Sequence, residues 1–466
     1  MIHGLRSYMM RIEANRFHVF LATLVLAGFV FSLMLAGERA TAYAEVATAE
    51  ERSDTPRRTI LWLSIDGIRP DYIGRAETPT MDRMAQEGAY STQFVPVYPS
   101  LTFPSHVSKA TGTKVREHGV PGNSFIDAES GRMHRYPWNP ELLGSEPIWT
   151  TAKRQGVRVA VYDWPLSHSQ KGDYATDYHG ERYIRGLSDS QRLDQLFDAW
   201  EKDLREREEE EEKREPLRLL MGYIVGPDSL GHQHGPDAQP PIDKLGEVDL
   251  LLRSVMTRAL RLFEHTRQDN DELIVMLTTD HGMSEVHSLV NINYLADLEG
   301  VRNVETVTSG NTGHIFIQDP DDSLSDRDRQ AKVRELVQRI NQHDFARAFA
   351  RDDAPEQWQI NHPTRTGDVF VNLEKGYTFS SRPRGVTGPA RELGGPLGMH
   401  GYDPRETDEM NGIMIVWRYP GKIGGVDLGR VHATQLHATV AQWLDIEPAE
   451  KAREEPVRVQ PRLRRR

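Results

Sequence analysis

Four apolar runs of strand length recur along the chain, at residues 59–65, 217–225, 273–279 and 412–417. Runs that do not alternate with polar residues suit strands buried on both faces of a sheet. Between them the spacing of apolar positions predicts helices. One covers 78–88, with Thr80 as a cap and Gly88 as a stop, and a second begins at 105–112. Residues 147–156 lead into a strand at 157–162, and 89–99 form another strand with its exit. The stretch 188–214 places Leu193, Leu196, Phe197, Trp200 and Leu204 on one helical face, and its charged end, 205–215, reads as a solvated helix terminus. Further amphipathic helices are expected at 243–265 and 432–444. Residues 290–390 form a smaller α+β region, with a helix at 334–340 flanked by strand-like pieces at 313–317 and 368–372. Residues 45–58 read as a flexible lead-in and the Arg-rich 450–466 as a disordered basic tail.

Three of the apolar runs end in carboxylates. Asp66-Gly67 follows the first, Asp228 and His232 follow the second in a Gly/Pro-rich loop, and Asp280-His281 follow the third. In open α/β sheets ligands bind at the carboxyl ends of strands. Asp and imidazole groups gathered there are a metal-ligand pattern. His400, inside the glycine-rich 394–401, completes the set of six. His234 reads as site wall, and His432 and His437 as structural. Thr102 lies between Pro99 and Pro104, just ahead of a helix start, where it is presented at a turn and feels the positive end of the helix dipole. A threonine hydroxyl is a weak nucleophile, and a neighbouring dication favours its alkoxide. Thr102 is therefore read as a nucleophile served by a pair of metal ions. Asn123 offers an amide donor to an oxyanion; the alternative is a plain turn asparagine.

Composition narrows the picture. The 466 residues suffice for one large α/β domain with insertions or for two domains, and the net charge of −12 argues against general nucleic-acid binding. There is no cysteine, which excludes disulfides, thiolate zinc sites and cysteine nucleophiles, and leaves 18 histidines as the soft ligands. Arg6, Arg11 and Arg16 precede an uncharged run at 17–36, and Ala42-Tyr43-Ala44 follows. This predicts a signal peptide over 1–44 and an exported protein, periplasmic or extracellular. The alternative is an uncleaved membrane anchor at 17–36.

The motifs taken together resemble one family. They are Ile65-Asp66-Gly67, Pro99-Ser-Leu-Thr-Phe-Pro-Ser-His106 with His118-Gly-Val-Pro-Gly-Asn123, Glu146-Pro-Ile-Trp149, Pro227-Asp228-x3-His232-x2-Gly-Pro236, Thr279-Asp-His-Gly-Met283 and Met399-His-Gly-Tyr-Asp403. Over residues 59–448 the chain resembles the nucleotide pyrophosphatase/phosphodiesterase group of the alkaline phosphatase superfamily. Ser105 stands where that motif usually has Asn. The resemblance implies an alkaline phosphatase-like α/β catalytic domain at 59–449. Its central, mostly parallel sheet would have helices on both faces, with a small inserted α+β cap region at about 290–390. It implies two zinc ions, one held by Asp228, His232 and His400, the other by Asp66, Asp280, His281 and the Thr102 oxygen. Phe103 and Asn123 would contact substrate, and a tyrosine near Tyr178 would stack on the leaving group. The expected activity is phosphodiester or pyrophosphate hydrolysis of a small-molecule diester or nucleotide, through a phosphothreonine at Thr102. No nucleic acid duplex is expected as partner, and no membrane beyond the possible anchor. Phosphonate hydrolase, phosphomonoesterase and a non-catalytic binding protein are the alternatives. The absence of Cys and of a Cys/Ser-x-Pro-x-Arg motif argues against an arylsulfatase.

Overall fold

The computed structural model describes residues 56–209, 214–298, 303–321 and 323–459. The expected signal peptide or anchor and the end of the basic tail, 460–466, lie outside them. Among the described residues no helix is long and apolar enough to cross a membrane.

The first apolar run is strand β1 (Arg58–Ile65), with every residue from Thr59 onward buried. It is central, which explains why it reads as a continuous apolar run. Along the chain follow α1 (Pro79–Glu87), β2 (Ala89–Val95), α2 (Thr102–Thr111), α3 (Ile148–Arg154), β3 (Arg158–Val161), β4 (Tyr178–His179), α4 (Asp189–Glu209) and β5 (Leu217–Ile224). Then come α5 (Asp228–His234), α6 (Gln239–Thr266) and β6 (Glu272–Thr279). After an inserted region, β11 (Gly412–Tyr419) and α8 (Leu436–Leu444) complete the layers. The sheet order is β2-β11-β6-β1-β5-β3-β4, with short strands from 426–432 beside β2. All neighbours are parallel except at β11, which runs against both β2 and β6.

Alternate residues of β1 serve two cores. Leu61, Leu63 and Ile65 pack with Met81 of α1, Leu196 of α4 and Leu252 of α6. Ile60 and Trp62 pack on the other face with Trp149 of α3 and Leu436 and Val440 of α8. This is the expected α/β architecture with helices on both faces. Each large apolar side chain so buried stabilises the fold by about 1.5–3 kcal/mol.

Two helix starts differ from their expected form. At α1 the free N–H groups of Thr80 and Met81 donate to the Asp249 carboxylate of α6, at 3.0 and 2.8 Å, so a distant side chain does the capping expected of Thr80. At α2, Thr102 is the first helical residue rather than part of a preceding turn. Pro104 sits inside the first turn, where its missing N–H costs nothing because those groups have no partner within the helix.

Within 290–390 four antiparallel strands, β7 (Val304–Ser309), β8 (Thr312–Ile317), β9 (Ala346–Ala350) and β10 (Val369–Leu373), form a separate sheet in the order β7-β8-β10-β9. Helix α7 (Asp326–Ile340) packs on it around Ile315, Ile340, Ala348 and Val371. The helix is longer than expected because Ser325 caps its N-terminus by accepting from the Asp328 N–H. The expectation of a disordered tail from 450 fails for 450–459. Val457 is buried and its N–H donates to Thr439 Oγ1 of α8 at 2.9 Å, while the Gln435 amide donates to the Glu455 carbonyl at 3.0 Å. Apolar Ala452 and Val457 between the arginines supply the anchor that the charge count concealed.

Candidate active site

Strands β5, β1 and β6 are adjacent and parallel, so their carboxyl ends form one ledge. Asp66 leaves β1 there, Asp280 and His281 leave β6, and Asp228 opens α5 after β5. Gly67 makes the approach possible. Its φ is +72°, and a Cβ would lie 2.8 Å from the Asp228 Cα. His232, one helical turn after Asp228, brings its Nε2 to 3.4 Å from Asp228 Oδ1. His400 comes from the glycine-rich loop, with Nε2 at 3.7 Å from the same oxygen. Its ring stacks on His281 at 3.4 Å. His281 Nε2 lies 3.3 Å from Asp66 Oδ1 and 3.1 Å from Asp280 Oδ2. All six expected ligands thus meet on one ledge. The tight groupings are Asp66, Asp280 and His281, and Asp228, His281 and His400, each with ligand atoms within 4.8 Å. His281 faces both groups, whereas His232 touches the second through Asp228. His234 is exposed, and His437 is held in the core between the Ala110 carbonyl and the Ala449 N–H.

The donor set fits cations. Asp66 Oδ1, Asp228 Oδ1 and Asp280 Oδ2 are buried and accept no hydrogen bond. Three such oxygens facing one another are costly unless a positive charge lies among them. The other oxygens of Asp66 and Asp280 are held: the Tyr223 hydroxyl donates to Asp66 Oδ2, and the N–H groups of Gly67 and His281 donate to Asp280 Oδ1 at 3.2 and 3.0 Å. The imidazoles are arranged alike. Nδ1 of His232 meets the Gly398 carbonyl at 2.7 Å, Nδ1 of His281 the Gly282 carbonyl at 2.9 Å, and Nδ1 of His400 the Ser100 carbonyl at 3.1 Å. Donating there fixes the tautomer and turns each Nε2 lone pair toward the carboxylates.

The electrostatics carry the same strain. Burial, with Asp280 and Asp228 beside it, pushes the Asp66 carboxyl well above its ordinary range. Burial works the same way on Asp280, but His281, His106 and Lys109 outweigh it and hold that carboxyl low. Burial and the neighbouring His281 and His232 push His400 well down, so it stays neutral and able to ligate. Burial and the facing carboxylates push the Tyr223 phenol up, which keeps it a donor to Asp66.

Thr102 Oγ1 lies 3.2 Å from His281 Nε2, inside this cluster. Asn123 Oδ1 accepts from the Phe103 N–H at 3.0 Å, and the same side chain also reaches the Tyr136 hydroxyl. Phe103 is buried and meets Trp138 and Tyr136 edge-on, at 5.2 and 5.7 Å. Tyr178 is not with them. It pairs with Ala160, in register with Leu61, well below the strand ends, and its hydroxyl donates to Glu206 of α4 at 2.8 Å. The aromatic residues beside Phe103 are instead Tyr136 and Trp138, with Tyr183 stacked on Trp138. Their loops carry no periodicity, so the sequence offered no signal beyond aromatic content. Tyr223 and the fully buried Lys109 were also missed. A lysine amid the apolar and small residues of α2 was the available clue.

A threonine hydroxyl among carboxylates and imidazoles at the strand ends of an α/β sheet is an arrangement suited to a metal-dependent hydrolase. The chain belongs to the type I phosphodiesterase / nucleotide pyrophosphatase family, whose model matches residues 60–403. The family's enzymes hydrolyse phosphodiester and pyrophosphate bonds. The human ectonucleotide pyrophosphatase/phosphodiesterase family member 7 is 24% identical over 444 residues, 90% of this chain and 86% of that protein. A bis(5'-adenosyl)-triphosphatase of Xenopus laevis is 26% identical over 360 residues, 75% and 70% of the two chains. Among solved structures, an inactive form of murine ectonucleotide pyrophosphatase/phosphodiesterase 5 in complex with AMP superposes with a TM-score of 0.69. Its identity is 20%, with 84% of this chain and 96% of that one covered.

Proposed function

We propose that the chain is an exported phosphodiesterase/nucleotide pyrophosphatase that acts on small nucleotide-type diesters through a covalent phosphothreonine at Thr102. The single observation that carries this reading is the Thr102 hydroxyl 3.2 Å from His281 Nε2, amid three buried carboxylate oxygens that accept no hydrogen bond. Two zinc ions suit the donor set, one on Asp228, His232 and His400, the other on Asp66, Asp280, His281 and Thr102. Bound there, they would favour the Thr102 alkoxide and neutralise charge on the phosphate and the departing oxygen.

Thr102 Oγ1 attacks phosphorus, the bond to the leaving oxygen breaks, and a phosphothreonine ester forms. The Asn123 amide nitrogen and the Thr102 N–H donate to a non-bridging oxygen as charge gathers on it. Phe103 supports the substituent that stays on phosphorus. Water then attacks from the Asp228, His232 and His400 side, releases the product acid and restores the Thr102 hydroxyl. AMP bound to a structural neighbour, and the triphosphatase name of a relative, support a nucleotide as substrate. Arg6, Arg11 and Arg16 before the apolar run 17–36, then Ala42-Tyr43-Ala44, support export, with cleavage after 44 or retention as an anchor.

The test compares bis-p-nitrophenyl phosphate with p-nitrophenyl phosphate, for the zinc-loaded protein and for Thr102→Ala. The diester should be preferred and Thr102→Ala inactive. Full diesterase activity in the alanine variant, indifferent to chelator, would overturn the reading.

A further inference from the structure

The surface beside Phe103 carries a charge pattern that the hydrolytic centre does not use. A cavity of about 690 Å³ opens there, walled by Tyr136, Trp138 and Tyr183 and rimmed by Arg135, Arg182 and Arg185. The aromatic wall is fixed in place. Trp138 and Tyr183 stack at 4.2 Å with 5° between their planes, and the Arg192 guanidinium covers the Tyr183 ring at 4.3 Å. Arg192 is itself buried and donates to Asp163 at 2.6 Å. Tyr136 is 53% exposed with φ at +45°, and its N–H donates to the Asn123 carbonyl at 2.8 Å. That backbone bond, the Asn123 side chain and the edge-on contact with Phe103 together hold its ring at the cavity mouth.

The three arginines are all exposed, and none of their guanidinium groups makes a hydrogen bond or ion pair with another described residue. Elsewhere on the surface arginines are matched, as Arg258 is by Asp194, Asp198 and Glu201. In a chain with 69 acidic and 57 basic side chains, a rim with three cations and only Glu181 among them is a local reversal of sign. Arg185 also acts electrostatically on both the Tyr136 and Tyr183 hydroxyls, so its charge is felt on both sides of the aromatic wall. Aromatic faces recognise a planar ring, and unmatched guanidinium groups recognise an anion.

We propose that this cavity selects diesters whose retained substituent is aromatic and carries a second negative charge remote from the scissile phosphate. The proposal rests on Thr102 hydrolysing diesters, and it adds the chemical class of the group beside Phe103.

The test pair is the 5'-p-nitrophenyl phosphate ester of thymidine, with and without a phosphate on the 3'-hydroxyl. The wild-type enzyme should favour the 3'-phosphorylated ester in kcat/KM by about tenfold at low salt, the size expected of two exposed ion pairs acting together. High salt should shrink the ratio, because the contacts are at the surface. In the variant carrying Arg135→Gln, Arg182→Gln and Arg185→Gln the ratio should fall to about one. Equal values for the two esters in the wild type, or a ratio that survives in the triple variant, would overturn this proposal alone. Hydrolysis of neither ester would overturn the phosphodiesterase reading and this proposal with it.

Discussion

Replacing Lys109 by methionine should stabilise the metal-free protein more at neutral than at alkaline pH. Lys109 lies in α2 with no exposed surface. Its Nζ donates to Ser64 Oγ at 2.5 Å and to the Thr279 carbonyl at 3.1 Å, and it sits 5.1 Å from the centre of the Trp164 ring. Burial outweighs the attraction of Asp280 and Asp66, and the amine falls from 10.5 to about 7. Between those values the unfolded chain holds a proton that the folded protein has released, so wild-type stability rises with pH. Well inside that window each pH step is worth about 1.4 kcal/mol; because the folded amine is half protonated at pH 7, the gain between pH 7 and about pH 9 is about 2 kcal/mol. Methionine has nearly the same length and no proton to lose. Relative to wild type, the variant should therefore lose about 2 kcal/mol of advantage over that interval. The assay is urea unfolding of both proteins at the two pH values after chelation. Lost hydrogen bonds to Ser64 and Thr279 contribute equally at both and cancel in the double difference. A variant-minus-wild-type difference that does not move with pH would refute the reasoning.

Three further outcomes follow from the same geometry. Asn123→Ala should lower kcat by about a hundredfold, because it removes a donor to the phosphate oxygen and frees the Phe103 N–H; steady-state kinetics on a diester checks it. Trp164→Ala should cost about 3–5 kcal/mol, since the indole is fully buried, packs at 4.8 Å on Trp62 and donates to the His106 carbonyl, and the thermal midpoint reads the loss. Zinc should raise the thermal midpoint of the chelated protein by neutralising Asp66, Asp228 and Asp280, and Asp66→Asn should weaken that rise when the metal is titrated.

The strand ends were legible because doubly buried strands are apolar throughout, and the Asp that follows each one breaks the pattern abruptly. That signal places Asp66, Asp228 and Asp280 on one edge without any knowledge of the fold. The histidines were harder. His400 was recognised only as the ligand the set lacked, and the contact of His281 with both groups depends on ring stacking across distant loops. Helix starts capped from afar cannot be read locally: Asp249 closes α1 from 168 residues away. Tyr178 was misjudged because 163–186 is irregular, with Asp163, Leu166 and Ser169 in left-handed conformations that no apolar period reveals. The tail was misjudged because its arginines outnumber the two apolar residues that anchor it.

The stereochemical course at phosphorus tests the central claim most directly. A diester made chiral by one sulfur atom is hydrolysed in isotopically labelled water, and the configuration of the product is determined. Attack by Thr102 followed by attack of water inverts phosphorus twice, so the account predicts net retention. Net inversion, the mark of one direct attack by water, would contradict it.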